Sequence, residues 1–113
     1  MRNLFILLFF TGMFFLANCS VSKKASSSSA ISYERDIAPI MLDRCTPCHY
    51  PDQGKKKFLD TYGAVKTNID EIIARVKMDP SEKEFMPFKS KKEPLSDSLI
   101  QVFVTWKETG MSK

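Results

Sequence analysis

Histidine is nearly missing from these 113 residues: His49 is the only one, and cysteine is confined to Cys19, Cys45 and Cys48. A tetrahedral zinc site on Cys45, Cys48 and His49 therefore lacks an assigned fourth ligand, because no second cysteine pair exists. A strong charge of one sign is lacking too. Lys and Arg number 17 against 13 Asp and Glu, for a formal charge of +4 that falls by one if Arg2 is removed with a leader. That mildly basic balance is no signature of nucleic-acid binding. No segment alternates apolar and polar residues with the period of two expected of a half-buried strand, and no internal repeat or second domain is visible. At 43% hydrophobic and 27% charged, the composition is that of an ordinary single-domain chain.

What is present is unevenly distributed. Residues 1–18 carry one charge, Arg2, ahead of an apolar run at 4–16 that is too short to cross a bilayer comfortably but suits a secretory signal peptide. The run ends in Leu16-Ala17-Asn18-Cys19-Ser20, which resembles a bacterial lipoprotein processing site, where cleavage precedes an acylated cysteine. Asn18 departs from the small residue usual before that cysteine. As a lipid carrier Cys19 accounts for the odd thiol of an exported chain, and several acyl chains on one residue give stable anchoring. Residues 19–30 are serine-rich and read as a tether that buries no core. The domain that follows, residues 31–113, has about 80 residues before the last stop signal, near the lower limit for an unaided hydrophobic core. A staple or prosthetic group is expected.

Three helices are expected in it. The first is opened by Asp36 as cap, tolerates Pro39 in its first turn and buries Ile37, Ile40 and Met41. Residues 61–66 make a short helical turn. The second helix, capped by Asn68 with Glu71 completing a capping-box-like pattern, presents Ile69, Ile72, Ile73 and Val76 and ends at Asp79-Pro80. The third starts at Ser96, presents Leu99, Val102, Phe103 and Trp106, and stops at Gly110.

The residues that carry chemistry are Cys45-Thr46-Pro47-Cys48-His49. Two thiols at i and i+3 on a helical turn reach the two vinyl groups along one edge of a haem, and the adjacent histidine projects toward iron; this spacing is the attachment pattern of c-type haem. A thioredoxin-like dithiol is the main rival, but it wants the first cysteine at a helix start after a strand, where the dipole lowers its pKa. A helix precedes Cys45 instead. For the sixth iron position a soft methionine thioether is expected. Met41 belongs to a core stripe, Met78 closes the second helix and Met111 lies beyond the final stop. Met86, in Glu84-Phe85-Met86-Pro87-Phe88, is the preferred ligand.

The order of residues 33–40, Cys45 to His49, Met86-Pro87, then Pro94-Leu95-Ser96-Asp97 leading into the Trp106 helix is similar to the small c-type cytochrome domains of bacterial membrane-associated proteins, over nearly all of residues 31–110. The resemblance implies an all-α fold of three to four helices around one covalently attached haem c. Cys45 and Cys48 would form the thioethers, His49 the proximal iron ligand and Met86 the distal one. Where the family commonly has a glycine-rich stretch after Met-Pro, this chain has Phe88-Lys89-Ser90-Lys91-Lys92-Glu93, and Ala38 stands where mitochondrial-type members use glycine in the first helix.

The implied function is single-electron transfer rather than enzymatic catalysis, at the periplasmic face of a bacterial membrane. Phe58, Tyr62, Phe85, Phe88, Phe103 and Trp106 would form an apolar shell that disfavours the charge of ferric iron. Lys55, Lys56 and Lys57, with Lys89, Lys91 and Lys92, would rim the haem edge and steer a redox protein or respiratory complex acidic at its contact. The alternatives are haem-based binding or sensing of a small ligand, a tethered subunit of a larger complex, and the dithiol.

Overall fold

The computed structural model describes residues 30–113; the expected signal peptide of residues 1–18, Cys19 as expected lipid carrier and the expected tether of residues 19–30, except its last residue, lie outside the described residues. Helix α1 spans Ala38–Arg44, α2 Tyr62–Thr67, α3 Ile69–Val76 and α4 Asp97–Glu108. A π turn at Tyr33–Ile37 leads into α1, and a 3-10 turn at Phe88–Ser90 lies between α3 and α4. About 49% of the described residues are helical and none forms a strand, so the all-α class is found, with four helices. No helix among the described residues is long and apolar enough to cross a membrane.

The entry into α1 differs from the sequence expectation. Ser32, extended at φ −124° and ψ 155°, is the cap residue, and Asp36 lies inside the first turns. Its carboxylate reaches back to accept from the Ser32 amide at 2.7 Å and from the Arg35 guanidinium. Those two bonds, the Arg35 one first, lower its pKa. The widening to a π turn has a cause one residue on. Pro39 donates no hydrogen bond and its ring crowds the Arg35 carbonyl, so Ala38 bonds back one residue further than usual, to Tyr33.

Helix α2 is capped by Thr61, whose hydroxyl accepts from the Ala64 amide at 3.2 Å. The Asn68 side chain does not cap α3 as its sequence position suggests. It donates to the Ala64 carbonyl at 2.7 Å and accepts from Lys57 at 3.0 Å. Ile69, Ile72 and Val76 are buried as expected and Ile73 is half-buried. The helix ends at Val76, so Met78 stands beyond its last turn.

Helix α4 carries the Ser96 cap, with its hydroxyl accepting from Leu99 at 3.4 Å. Its buried face is rotated from the expected one: Ile100, Phe103 and Trp106 are buried, while Leu99 and Val102 are half-buried. Gly110, at φ +93°, ends it as expected. Its amide bonds back to Lys107 and the Met111 amide to Trp106 at 2.9 Å, the paired bonds of a Schellman ending. The fold then continues past this stop. The Ser112 carbonyl accepts from the Tyr33 amide at 3.0 Å, and the Ser112 hydroxyl donates to Ile31 at 2.8 Å, so the two ends of the domain are sewn together.

One core joins the helices: Ile37 and Met41 from the N-terminal segment, Val65 and Ile69, and Phe103 and Trp106 from α4 are among its most buried members. Tyr33, Tyr62 and Trp106 pack as an aromatic triangle with centroids 5.4 to 6.1 Å apart. Phe103 and Trp106 thus act first as packing residues.

Candidate functional site

The sequence motif begins where α1 ends. Cys45 is the residue after the last turn, and its amide bonds to Met41 at 2.9 Å; Thr46 Oγ1 donates to Leu42 at 2.6 Å. Hydrogen-bonded turns then carry the chain through Cys48 to His49, whose amide bonds to the Cys45 carbonyl at 3.1 Å. Both thiols are free. Cys45 is half-buried against the core with Sγ 3.8 Å from Met41 Sδ, and burial pushes its thiol pKa up to about 11. Cys48 is exposed.

His49 is held by the loop that follows. Its Nδ1 lies 2.7 Å from the Lys57 carbonyl oxygen. A carbonyl only accepts, so Nδ1 carries the proton and the lone pair is left on Nε2, the tautomer a metal-ligating imidazole needs. The Leu59 amide donates to the His49 carbonyl at 2.9 Å, which closes the same loop from its other side. Gly54 makes the loop possible. A Cβ there would sit 2.4 Å from the Tyr50 carbonyl oxygen and 2.5 Å from that of Cys48, closer than any side chain tolerates.

The Lys57 side chain is engaged with α3. Its Nζ bonds Asn68 Oδ1 at 3.0 Å and Glu71 Oε2 at 2.7 Å. Lys57 is therefore tied to α3, although its side chain stays half exposed. Glu71 also takes Arg75 Nε at 2.9 Å, and these bonds, that of Lys57 foremost, hold its carboxyl below the usual range. The capping-box role expected of Glu71 gives way to this pairing.

Met86 is half-buried against the same core that receives Cys45. Its amide donates to the Arg75 carbonyl at 3.2 Å, which fastens the Met86 segment to the end of α3. Phe85 and Pro87 on either side are buried. Past them, Lys89 and Ser90 adopt φ of 52° and 49°. Two ordinary residues thus stand in conformations that glycine favours. Glu93, further along, is paired with Arg44 at the end of α1, at 3.1 Å between charges.

The large hydrophobic residues left exposed among the described residues are Leu42 at 56%, Phe58 at 45% and Phe88 at 44%. Each sits close in sequence to a site residue: three before Cys45, next to Lys57, and two after Met86. A cleft of about 440 Å³ opens between the end of α3 and the start of α4, lined in part by Val76, Met78, Phe85, Leu95 and Ile100. Cys45, Cys48, His49 and Met86 do not line it. No group of three or more His, Cys, Asp or Glu side chains able to hold a metal ion occurs among the described residues.

The role of the Lys57 carbonyl had no sequence signal, because any residue supplies a carbonyl. Comparison with family models, curated proteins and solved structures yields no match for this chain.

Proposed function

We propose that this protein is a monohaem c-type cytochrome that carries single electrons, exported and anchored to a membrane through Cys19. The observation that carries the proposal is the His49 imidazole, fixed by the Lys57 carbonyl with Nε2 left as the donor, directly after two unpaired thiols at i and i+3. The exposed Leu42, Phe58 and Phe88 add support, since each flanks a site residue and gains from burial against a large apolar group.

A covalently bound haem would supply a one-electron iron couple. The protein's own part would be to hold it, with Cys45 and Cys48 as thioethers and His49 Nε2 and the soft Met86 thioether as the iron ligands. Met86 is fastened through its own amide and flanked by buried Phe85 and Pro87, which suits a ligand set that does not change between oxidation states.

The rivals are disfavoured by the same residues. A reactive dithiol needs a lowered thiol pKa, whereas Cys45 follows the C-terminal end of a helix and burial raises its pKa to about 11. A zinc site needs four ligands, and among the described residues Cys45, Cys48 and His49 do not come together with one another or with any Asp or Glu as a group able to hold a metal ion.

The test is to express the full chain in cells that mature c-type haem, then record its absorption spectrum and stain a denaturing gel for haem. Colour that stays with the polypeptide is expected; colour lost on denaturation overturns the proposal. For the anchor, Cys19→Ser is expected to release the protein from membranes without detergent, and unchanged detergent dependence overturns lipidation.

A further inference from the structure

We propose that Glu71 is a positioning residue that couples the segment holding His49 to the segment holding Met86, acting through Lys57 and Arg75; its consequence at iron rests on the haem proposal above. Lys57 turns its carbonyl to His49 Nδ1 at 2.7 Å while its ammonium is bound to Glu71 Oε2, also at 2.7 Å. One residue therefore holds the imidazole with its backbone and α3 with its side chain. One helical turn later, Arg75 takes the other Glu71 oxygen, with Nε and Nη2 each 2.9 Å from Oε1.

Arg75 then reaches the distal side in two ways. Its Nη1 donates to the Glu84 carbonyl at 3.3 Å, and its own carbonyl accepts the Met86 amide at 3.2 Å. Its Nη2 also lies 3.7 Å from the Glu84 carboxylate. The chain of contacts from His49 to Met86 is thus unbroken, and Glu71 is the only group in it that bonds both cations. Single exposed ion pairs contribute little, but here one carboxylate serves two cations, and both residues are bonded onward, Lys57 to the His49 imidazole and Arg75 to the Met86 amide. A helix that keeps Glu71 and Arg75 in fixed register transmits the position of one ligand loop to the other. Asn68 supports the Lys57 end, so removing Glu71 loosens that end without freeing it.

The experiment uses the full haem-loaded chain and compares wild type with Glu71→Lys, Glu71→Gln and the control Asp70→Lys. Asp70 neighbours Glu71 but pairs with Lys107 on α4, outside the relay. Hydrogen exchange is followed at the Leu59 amide, bonded to His49, and at the Met86 amide, bonded to Arg75. The thioether-to-ferric charge-transfer band is followed through a urea titration.

Glu71→Lys is expected to speed exchange at both amides together, by about threefold to tenfold, and to lose the band at lower urea than wild type. Glu71→Gln, which keeps hydrogen bonding but not charge, falls between, and Asp70→Lys stays near wild type. Exchange that rises at one amide only or at neither, or a control that behaves like Glu71→Lys, overturns the coupling. Haem staining of the same wild-type sample reports separately on the cytochrome proposal. If that sample carries no covalent haem, the cytochrome proposal fails, while the paired exchange rates still decide whether Glu71 joins the two segments.

Discussion

The indole Nε1–H of Trp106 donates to the Ser112 carbonyl at 2.8 Å, and the Tyr33 amide shares that acceptor at 3.0 Å. A fully buried side chain of α4 thereby closes the two ends of the domain on each other. Trp106→Phe removes the donor and part of the packed volume while Tyr33 still satisfies the carbonyl. Unfolding in urea is expected to show a loss of about 2 kcal/mol.

Cys45 and Cys48 should differ in reactivity in protein made without haem. The Cys45 thiol stays protonated until pH about 11, and Cys48 is exposed. Iodoacetamide at pH 8 is expected to label Cys48 at least about tenfold faster, measured by peptide mass spectrometry. The sign for stability follows. A folded pKa raised above the unfolded value of about 8.5 favours the fold below that value, and the contribution is lost as pH rises toward about 11. Equal labelling, or faster labelling of Cys45, would return the dithiol to consideration.

Ser90 and Lys89 occupy left-handed backbone at φ 49° and 52° without being glycine. Ser90→Gly is expected to stabilise the protein by about 1 kcal/mol, read as a higher urea midpoint at unchanged slope. A midpoint that falls would mean that the Ser90 side chain contributes more than its backbone costs.

Met86→Ala tests the proposed distal ligand. The haem stain is expected to persist, because the proposed attachment is through Cys45 and Cys48, while the thioether-to-ferric band disappears and added carbon monoxide binds the reduced protein readily. A band that survives moves the ligand to another methionine. Wild-type protein that already binds carbon monoxide as readily would favour small-ligand sensing over electron transfer.

Local pattern determined a good deal on its own. The all-α class, the Thr61 turn, the Ser96 cap, the Gly110 stop and the buried stripe Ile69, Ile72 and Val76 depend on neighbours within one or two turns, and such neighbours are adjacent in the chain. The Cys45 to His49 motif is legible for the same reason, since its two thiols and its histidine lie within five residues.

Only the tertiary structure decided where the side chains of Asp36, Asn68, Lys57 and Glu71 go. Each has a plausible partner nearby, but Asp36 reaches back to Ser32, Asn68 is taken by Ala64 and Lys57, and Glu71 is taken by Lys57 and Arg75. The face of α4 was decided the same way: Ile100 is buried while Leu99 and Val102 pack half-buried against the core, because burial depends on which helix lies opposite. The Lys57 carbonyl beside His49 is the clearest case. A backbone acceptor has no side-chain identity, so nothing in the order of residues marks the one that orients the only histidine, and the folded loop alone brings it to 2.7 Å.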